Sequence, residues 1–122
     1  MTHSMIYNLF VYHPAWNFNL GPGTMILVTG SATASPESFA EMRRISLEHV
    51  HRSRGEPGCL EHGVYIDAEN PLRLHFFERW ADAEALKAHF LVPESRAFAR
   101  RLRELAADPG GMAVYEAAKT RV

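Results

Sequence analysis

The chain has 122 residues, and its 13 Lys and Arg against 14 Asp and Glu give a formal net charge of −1 with the seven histidines neutral. This length predicts one domain, and the 47% of hydrophobic residues can form one core, which argues against intrinsic disorder. The near-neutral charge lacks the electrostatic footprint of a nucleic-acid-binding protein. Because the single cysteine, Cys59, cannot form an internal disulfide, we expect a reducing compartment and a cytoplasmic location.

No apolar run approaches the roughly 20 residues that a membrane helix needs, so no membrane partner is expected. Residues 1–24 contain five aromatic residues but no Lys, Arg, Asp or Glu, and they are followed by a domain over residues 25–122. This pattern indicates an aromatic N-terminal arm, and a misplaced start before Met25 is the alternative. Since burying its apolar surface is favourable, we expect the arm to dock on the domain or on a partner subunit, with a strand near Ile6 to Tyr12. We expect Trp16 or Phe18 to lie near the mouth of the substrate pocket and to help close it.

The rest of the chain alternates strand and helix signals in the order β-α-β-β-α-β. The predicted elements are a strand over 25–33, a helix opened by Ser35-Pro36-Glu37 and running to about residue 53, strands over 59–67 and 72–80, a short helix capped by Asp82, a further helix opened by Pro93-Glu94, and a strand over 112–119. This order is typical of the α+β ferredoxin-like fold, a four-stranded antiparallel sheet with helices on one face. The other face, with Phe77, Tyr65 and Tyr115, needs a cover, which predicts a homodimer.

Three segments of the chain resemble the antibiotic biosynthesis monooxygenase family. They are the turn and strand start Gly55-Glu56-Pro57-Gly58-Cys59-Leu60, the run FERWADAEALKAH from Phe77 to His89, and Phe98 with Leu102. The resemblance covers about residues 25–120 and implies a dimeric α/β barrel. It also implies oxidation of a quinol or polyketide-like phenol with O2, with no flavin, haem or metal cofactor.

His89 and Trp80 are the candidate catalytic residues. His89 lies on the inner side of the short helix, beside Phe90. An imidazole can accept a phenolic proton near neutral pH, and burial lowers its pKa. Trp80 offers an aromatic substrate a flat apolar wall and an N–H donor. The alternative is that both are core residues, with His89 hydrogen-bonded to the backbone and Glu78.

The candidate substrate-binding residues are predicted to face the same interior as His89. They are Ser46, His49, Glu78, Phe90 and Phe98. Ser46 and His49 are three residues apart on the apolar stripe of the first helix, although a local hydrogen bond of Ser46 to the backbone is an alternative. Glu78 lies on the Trp80 face of its strand and can orient His89, or else pair with an arginine across the barrel.

Seven histidines suggest a metal site, but no local pair can chelate an ion. His49 and His51 point roughly 200° apart on a helix, and Glu61 and His62 point to opposite faces of a strand. No H-E-x-x-H motif is present. We therefore expect no specific metal site, and we assign His62 and His75 to the surface or a dimer interface.

Three other function classes stay open. In haem-degrading relatives, as the resemblance implies, a first-strand asparagine acts with a tryptophan and a histidine, and here Trp80 and His89 match while Ser31 stands near the asparagine position. An isomerase of small phosphorylated sugars needs a basic pocket, to which Arg43 or Arg100 would have to point. A non-catalytic dimeric binding protein would consume no O2 with any phenol.

Overall fold

The computed structural model describes residues 4–7, as backbone only, and residues 24–122. The elements, in chain order, are β1 (Ser4–Tyr7), β2 (Thr24–Ala34), α1 (Phe39–Ser53), β3 (Cys59–Ile66), β4 (Arg73–Trp80), α2 (Ala83–Leu91), α3 (Pro93–Leu105), β5 (Ala106–Asp108) and β6 (Met112–Ala118). None of these helices is long and apolar enough to cross a membrane.

Within the described ranges, the strands form one antiparallel sheet in the order β1-β6-β2-β4-β3, and β5 pairs with the end of β2. The long strand β2 lies in the centre, with β4 on one side and β6 on the other. β2, β3, β4 and β6 with the intervening helices give the β-α-β-β-α-β order, so the predicted α+β ferredoxin-like fold is confirmed.

One apolar core joins the sheet to the helices. Its members are buried side chains of β2, β4, β6 and all three described helices, among them Ile26, Met42, Phe76, Leu102 and Val114. The alternation of β4 decides which of its side chains enter this core. Leu74, Phe76, Glu78 and Trp80, which the alternation predicts on one face, are buried, and the residues between them are partly exposed. Leu72, predicted on the same face, precedes β4 and is also partly exposed.

The first helix begins later than the sequence predicts. Ser35-Pro36-Glu37 forms a turn in which the Ser35 carbonyl accepts from the backbone N–H of Phe39 at 3.1 Å, and α1 begins only at Phe39. Ser35 nevertheless caps this turn, because its hydroxyl accepts from the backbone N–H of Ser38 at 3.2 Å. The Ser38 hydroxyl donates to the Leu105 carbonyl at 2.7 Å and ties the turn to the end of α3. Likewise, Asp82 caps α2 as predicted, since its carboxylate accepts from the backbone N–H of Ala85 at 2.8 Å.

The sheet has two strands more than the four predicted. β5 is a three-residue strand directly after α3, with no alternating pattern in the sequence. β1 pairs with β6, with Ser4 opposite Tyr115 and Tyr7 opposite Met112, so part of the N-terminal segment extends the sheet of its own chain. The expected positions of Trp16 and Phe18 lie outside the described residues.

Candidate active site

Three histidines from three elements meet inside the domain, and we call His49, His62 and His89 the histidine cluster. They come from α1, β3 and α2, and their relative exposures are 1%, 2% and 0%. The centroids of the three rings lie 5.2 to 5.5 Å from one another. Histidine is seldom fully buried without a specific partner, so a buried group of three is a candidate functional site.

The local structure of each element explains why these rings point inward. On α1, Met42, Ser46, His49 and Val50 share the buried side of the helix, as the helical period requires. On β3, His62 stands opposite Glu78 in the register with β4, so both lie on the face that the helices cover. The prediction that His62 lies at the surface or an interface is therefore wrong, because the pairing register and not the local sequence fixes its face.

Glu78 and Trp80 form the part of the sheet under the histidine cluster. Both are 0% exposed, and the Trp80 indole N–H donates to Glu78 Oε1 at 2.8 Å. The same oxygen lies 3.4 Å from His62 Nε2 and 4.0 Å from His89 Nε2. Burial alone would raise the pKa of Glu78, but the charges of His62 and His89, with the hydrogen bond from the Trp80 indole, outweigh burial and lower it. Glu78 thus supplies a carboxylate to the cluster.

Glu56, in the turn before β3, orients His89. His89 Nδ1 lies 2.8 Å from Glu56 Oε1, so the ring donates its Nδ1–H to this carboxylate and turns Nε2 toward the cluster. The sequence interpretation gave this role to Glu78, which is too far from His89 for a hydrogen bond. Gly58 makes the arrangement possible, because its φ is +80° and a Cβ there would meet Ala85 of α2 at 2.5 Å.

His49 is held on the opposite side by Arg52. The guanidinium Nη2 donates to His49 Nδ1 at 2.9 Å and to Ser95 Oγ at 2.9 Å. A guanidinium has no acceptor, so His49 Nδ1 is unprotonated in this arrangement. Burial, with the charges of His89, His62 and Arg52, lowers the pKa of His49 well below its ordinary value.

The other predicted substrate-binding residues surround the cluster. Phe98 stacks on His49 with ring centroids 4.0 Å apart, Phe90 lies 5.6 Å from His89, and Trp80 lies 4.7 Å from His89. Ser46 is 0% exposed, and its hydroxyl makes no hydrogen bond within residues 24–122, so the expected local backbone bond is absent there. The fold therefore brings all seven predicted site residues into one region.

Two surface grooves adjoin the cluster, which is itself closed to solvent. One, of about 370 Å³, lies over Glu56, and its lining includes Pro57, Ala85, Ala88 and Val92. The other, of about 290 Å³, is lined in part by His62, Cys59 and Glu61. Asp82 and Glu84 also line the groove over Glu56, so its apolar wall, which suits an aromatic ligand, lies beside acidic side chains.

Residues proposed for the alternative functions lie elsewhere. Ser31 lies in β2 on the face away from the helices, so its side chain does not meet Trp80 and His89. Its hydroxyl accepts from Arg73 Nη2 at 3.3 Å. His75 is also on that face and lies 2.6 Å from Asp67 Oδ2. Arg43 and Arg100 are exposed and add no positive charge to the buried site.

The sequence interpretation missed two residues of this site, and its analysis of metal ligands was incomplete. Glu56 and His62 lie in a turn and on a strand that only the tertiary fold brings to His89, and no local pattern marks them. One nitrogen from each of His49, His62 and His89 lies within 4.8 Å of the others, a spacing at which an ion could be held. Tertiary packing, not a local pair, brings these three possible ligands together from α1, β3 and α2.

Comparison with known proteins agrees with this architecture. The model of the family named antibiotic biosynthesis monooxygenase matches residues 25–101. An uncharacterised protein of Synechocystis is 31% identical over 101 residues, which cover 83% of this chain and 69% of that protein. A structure from Deinococcus radiodurans, provisionally assigned as an antibiotic biosynthesis monooxygenase, has a TM-score of 0.75 and 26% identity and covers 80% of this chain and 96% of its own.

A conserved protein from Methanosarcina mazei shares the fold, with a TM-score of 0.73, 23% identity, and coverage of 80% of this chain and 95% of its own. The family match extends from β2 into α3 and includes every element that contributes to the histidine cluster. This chain belongs to the antibiotic biosynthesis monooxygenase family.

Proposed function

We propose that this protein is a monooxygenase that oxidises an electron-rich phenol, a quinol or polyketide-like substrate, with O2. One oxygen atom enters the carbon skeleton, the other leaves as water, and the substrate supplies the electrons once it is deprotonated. Family membership supports the class of reaction. The observation that carries the proposal is the buried His89 imidazole with its Nδ1–H held by Glu56.

His89 acts as the proton acceptor in this proposal. Because Glu56 accepts the Nδ1–H, the neutral ring presents an unprotonated Nε2 that can accept a phenolic proton. Deprotonation makes the substrate ring electron-rich enough to reduce O2. His89 Nε2 makes no hydrogen bond within residues 24–122, so no described side chain competes for its lone pair.

Trp80 and the five other predicted residues form the walls of the proposed site. Trp80 supplies an aromatic surface 4.7 Å from the His89 ring, and Phe90 and Phe98 supply apolar contacts. Ser46, His49 and Glu78 contribute the polar atoms. The substrate approaches through the groove over Glu56, so α2 must move outward to admit an aromatic ring, a motion of the kind that commonly gates buried sites.

Oxygen consumption tests this function. Metal-depleted protein is supplied with a panel of quinols and anthrones, and the rates are compared for wild type, His89→Gln and the control His75→Gln. We expect His89→Gln to lower kcat/KM roughly 100-fold or more, the usual contribution of a general base, and His75→Gln to match wild type. Equal rates for wild type and His89→Gln would remove His89 from the mechanism, and rates no higher than without protein would contradict the function.

We also propose that the active form is a homodimer, formed through the sheet face that the helices leave uncovered. Phe77 and Tyr115 of this face are only partly buried in the single chain, and Tyr65 is 54% exposed. Covering such a face with a second copy would bury about 2,000 Å² or more, the range of obligate dimers. β1 would then lie at the sheet edge, where it pairs with β6.

A further inference from the structure

We propose that the histidine cluster and Glu78 form a binding site for one divalent transition-metal ion. The ligands are His62 Nε2, His89 Nε2 and Glu78 Oε1, with His49 as the fourth. The proposal rests on the geometry of these side chains and does not depend on the proposed oxidation, since an ion would occupy the same His89 nitrogen that serves as the base.

The distances between the ligand atoms are close to those of a coordination sphere. Bonds from zinc to histidine nitrogen and carboxylate oxygen are about 2.0–2.1 Å, so two ligands of a tetrahedral ion lie about 3.4 Å apart. Glu78 Oε1 is 3.4 Å from His62 Nε2 and 4.0 Å from His89 Nε2. The imidazole nitrogens lie within 4.8 Å of one another. Small rotations of the rings therefore bring the ligands to bonding positions.

The polar atoms of the cluster have hydrogen-bonding capacity that the surrounding protein does not use. Within residues 24–122, neither ring nitrogen of His62 makes a hydrogen bond, and neither does His89 Nε2 or Glu78 Oε2. All three side chains are at most 2% exposed. Buried polar groups without partners are rare in proteins because desolvating them is costly. A metal ion bound to His62 Nε2 and His89 Nε2 removes that cost for these two atoms.

The residues around the ligands orient them as in known metal sites. A metal-binding histidine commonly donates its second ring N–H to a carboxylate, and the ligating carboxylate accepts a hydrogen bond of its own. Here His89 donates Nδ1–H to Glu56 Oε1, and Glu78 accepts from the Trp80 indole N–H. Both ligands are thus fixed with their free lone pairs directed into the cluster.

His49 is the weakest of the four ligands. Its Nδ1 accepts from Arg52, so binding an ion at Nε2 requires a change of tautomer and the loss of this hydrogen bond. Arg52 can keep its bond to Ser95 and its approach to Glu56 Oε2 at 4.0 Å. The loss of His49 should therefore weaken binding less than the loss of His62.

The ligand set restricts the kind of ion. Three imidazoles and one carboxylate suit zinc, copper, iron, nickel or cobalt, whereas magnesium and calcium prefer an all-oxygen site. Cys59 is outside the ligand set, so a thiolate-dependent ion is not expected. Zn²⁺ and Co²⁺ are the appropriate probes, and Mg²⁺ is the negative control.

Calorimetric titration with Zn²⁺ tests the site on the full chain without an affinity tag, after treatment with a chelator. We expect one Zn²⁺ per chain, no binding of Mg²⁺, and a Co²⁺ absorption spectrum of a tetrahedral site without thiolate bands. His62→Gln and Glu78→Gln should each weaken Zn²⁺ binding by more than roughly 100-fold, and Glu56→Gln by roughly tenfold. His75→Gln removes a histidine on the face of β4 that points away from the helices, and it should bind Zn²⁺ as wild type does.

A second measurement needs no variant and so does not depend on the variants folding. In wild-type protein with ¹⁵N-labelled histidines, Zn²⁺ should shift the Nε2 resonances of His62 and His89 strongly and leave those of His51 and His75 unchanged. Absence of Zn²⁺ binding, equal binding by His62→Gln, or shifts confined to His51, His75 or the N-terminal histidines would overturn the proposal. Loss of oxidation activity alone would not affect it.

Discussion

The two faces of β4 carry the same kinds of side chain in opposite environments. On the face toward the helices, Glu78 is 0% exposed and lies 3.4 Å from His62 Nε2. On the other face, His75 lies 2.6 Å from Asp67, and their side chains are 42% and 21% exposed. The Asp67 carboxylate of the open pair accepts from His75 and from the backbone N–H of Glu69. The buried group contains polar atoms without partners within residues 24–122, among them His89 Nε2 and Glu78 Oε2, which makes it suitable for binding a proton or an ion.

The neighbouring phenylalanines Phe76 and Phe77 allow this comparison to be made as a stability measurement. Phe76 is 2% exposed, and its ring meets that of Phe98 at 6.0 Å in the core. We expect Phe76→Ala to lower the free energy of unfolding by about 3–5 kcal/mol because it opens a cavity that the fixed helices cannot fill. Urea denaturation followed by tryptophan fluorescence measures the change.

Phe77→Ala is the matched control for this prediction, because it removes the same atoms from the next residue on the opposite face. At the same protein concentration it should cost clearly less than Phe76→Ala. If Phe76→Ala does not fold, Phe76→Leu should still be less stable than Phe77→Leu. Equal losses measured on monomeric protein, in which no partner covers Phe77, would show that the two faces do not differ in burial, and the assignment of the core would be wrong.

The second prediction concerns the open face itself. If two copies associate through it, Phe77→Arg places a charge in the interface and should weaken dimerisation by roughly 30-fold or more, about 2 kcal/mol, as expected for a central interface residue. Ala97→Arg, on the exposed side of α3, adds the same charge away from the sheet and is the control. Sedimentation equilibrium at micromolar concentration measures both, and a monomeric wild type would contradict the dimer.

Much of the fold could be predicted because the relevant signals are local. The alternation of β4 identified Leu74, Phe76, Glu78 and Trp80 as one face, and the structure buries all four. Asp82 as the cap of α2 followed from the same kind of local chemistry. β5 carried no such signal, because a three-residue strand is shorter than any pattern that periodicity can detect.

The candidate site was predictable only where a single element determined the direction of a side chain. Ser46 and His49 on α1 and His89 on α2 follow the helical period, and all three are buried as expected. His62 was misplaced because alternation in β3 groups it with Val64 and Ile66 but does not say which side of the sheet this group faces; only the pairing with β4, which sets His62 opposite Glu78, decides it. Glu56 was missed because 33 residues of sequence separate it from His89. Only the packing of α2 on the turn at Gly58 creates the contact between Glu56 and His89.

The smallest effect is expected at the open pair, and it concerns pH. The hydrogen bond from His75, with that from the backbone N–H of Glu69, holds the pKa of the Asp67 carboxyl below its ordinary value of 3.8. A carboxyl whose pKa is lower in the folded chain than in the unfolded one stabilises the fold above pH 3.8 and loses this contribution as the pH falls through the folded-state pKa.

Wild type should therefore have a slightly higher Tm than Asp67→Asn near neutral pH, and the difference should disappear in acid below pH 3.8. Thermal denaturation at a series of pH values measures it, with Glu69→Gln on the same turn as a control for the loss of one charge. A Tm difference that persists unchanged into acid would mean that the Asp67–His75 contact does not contribute through its ionised form, since protonation of the carboxyl would then cost the fold nothing.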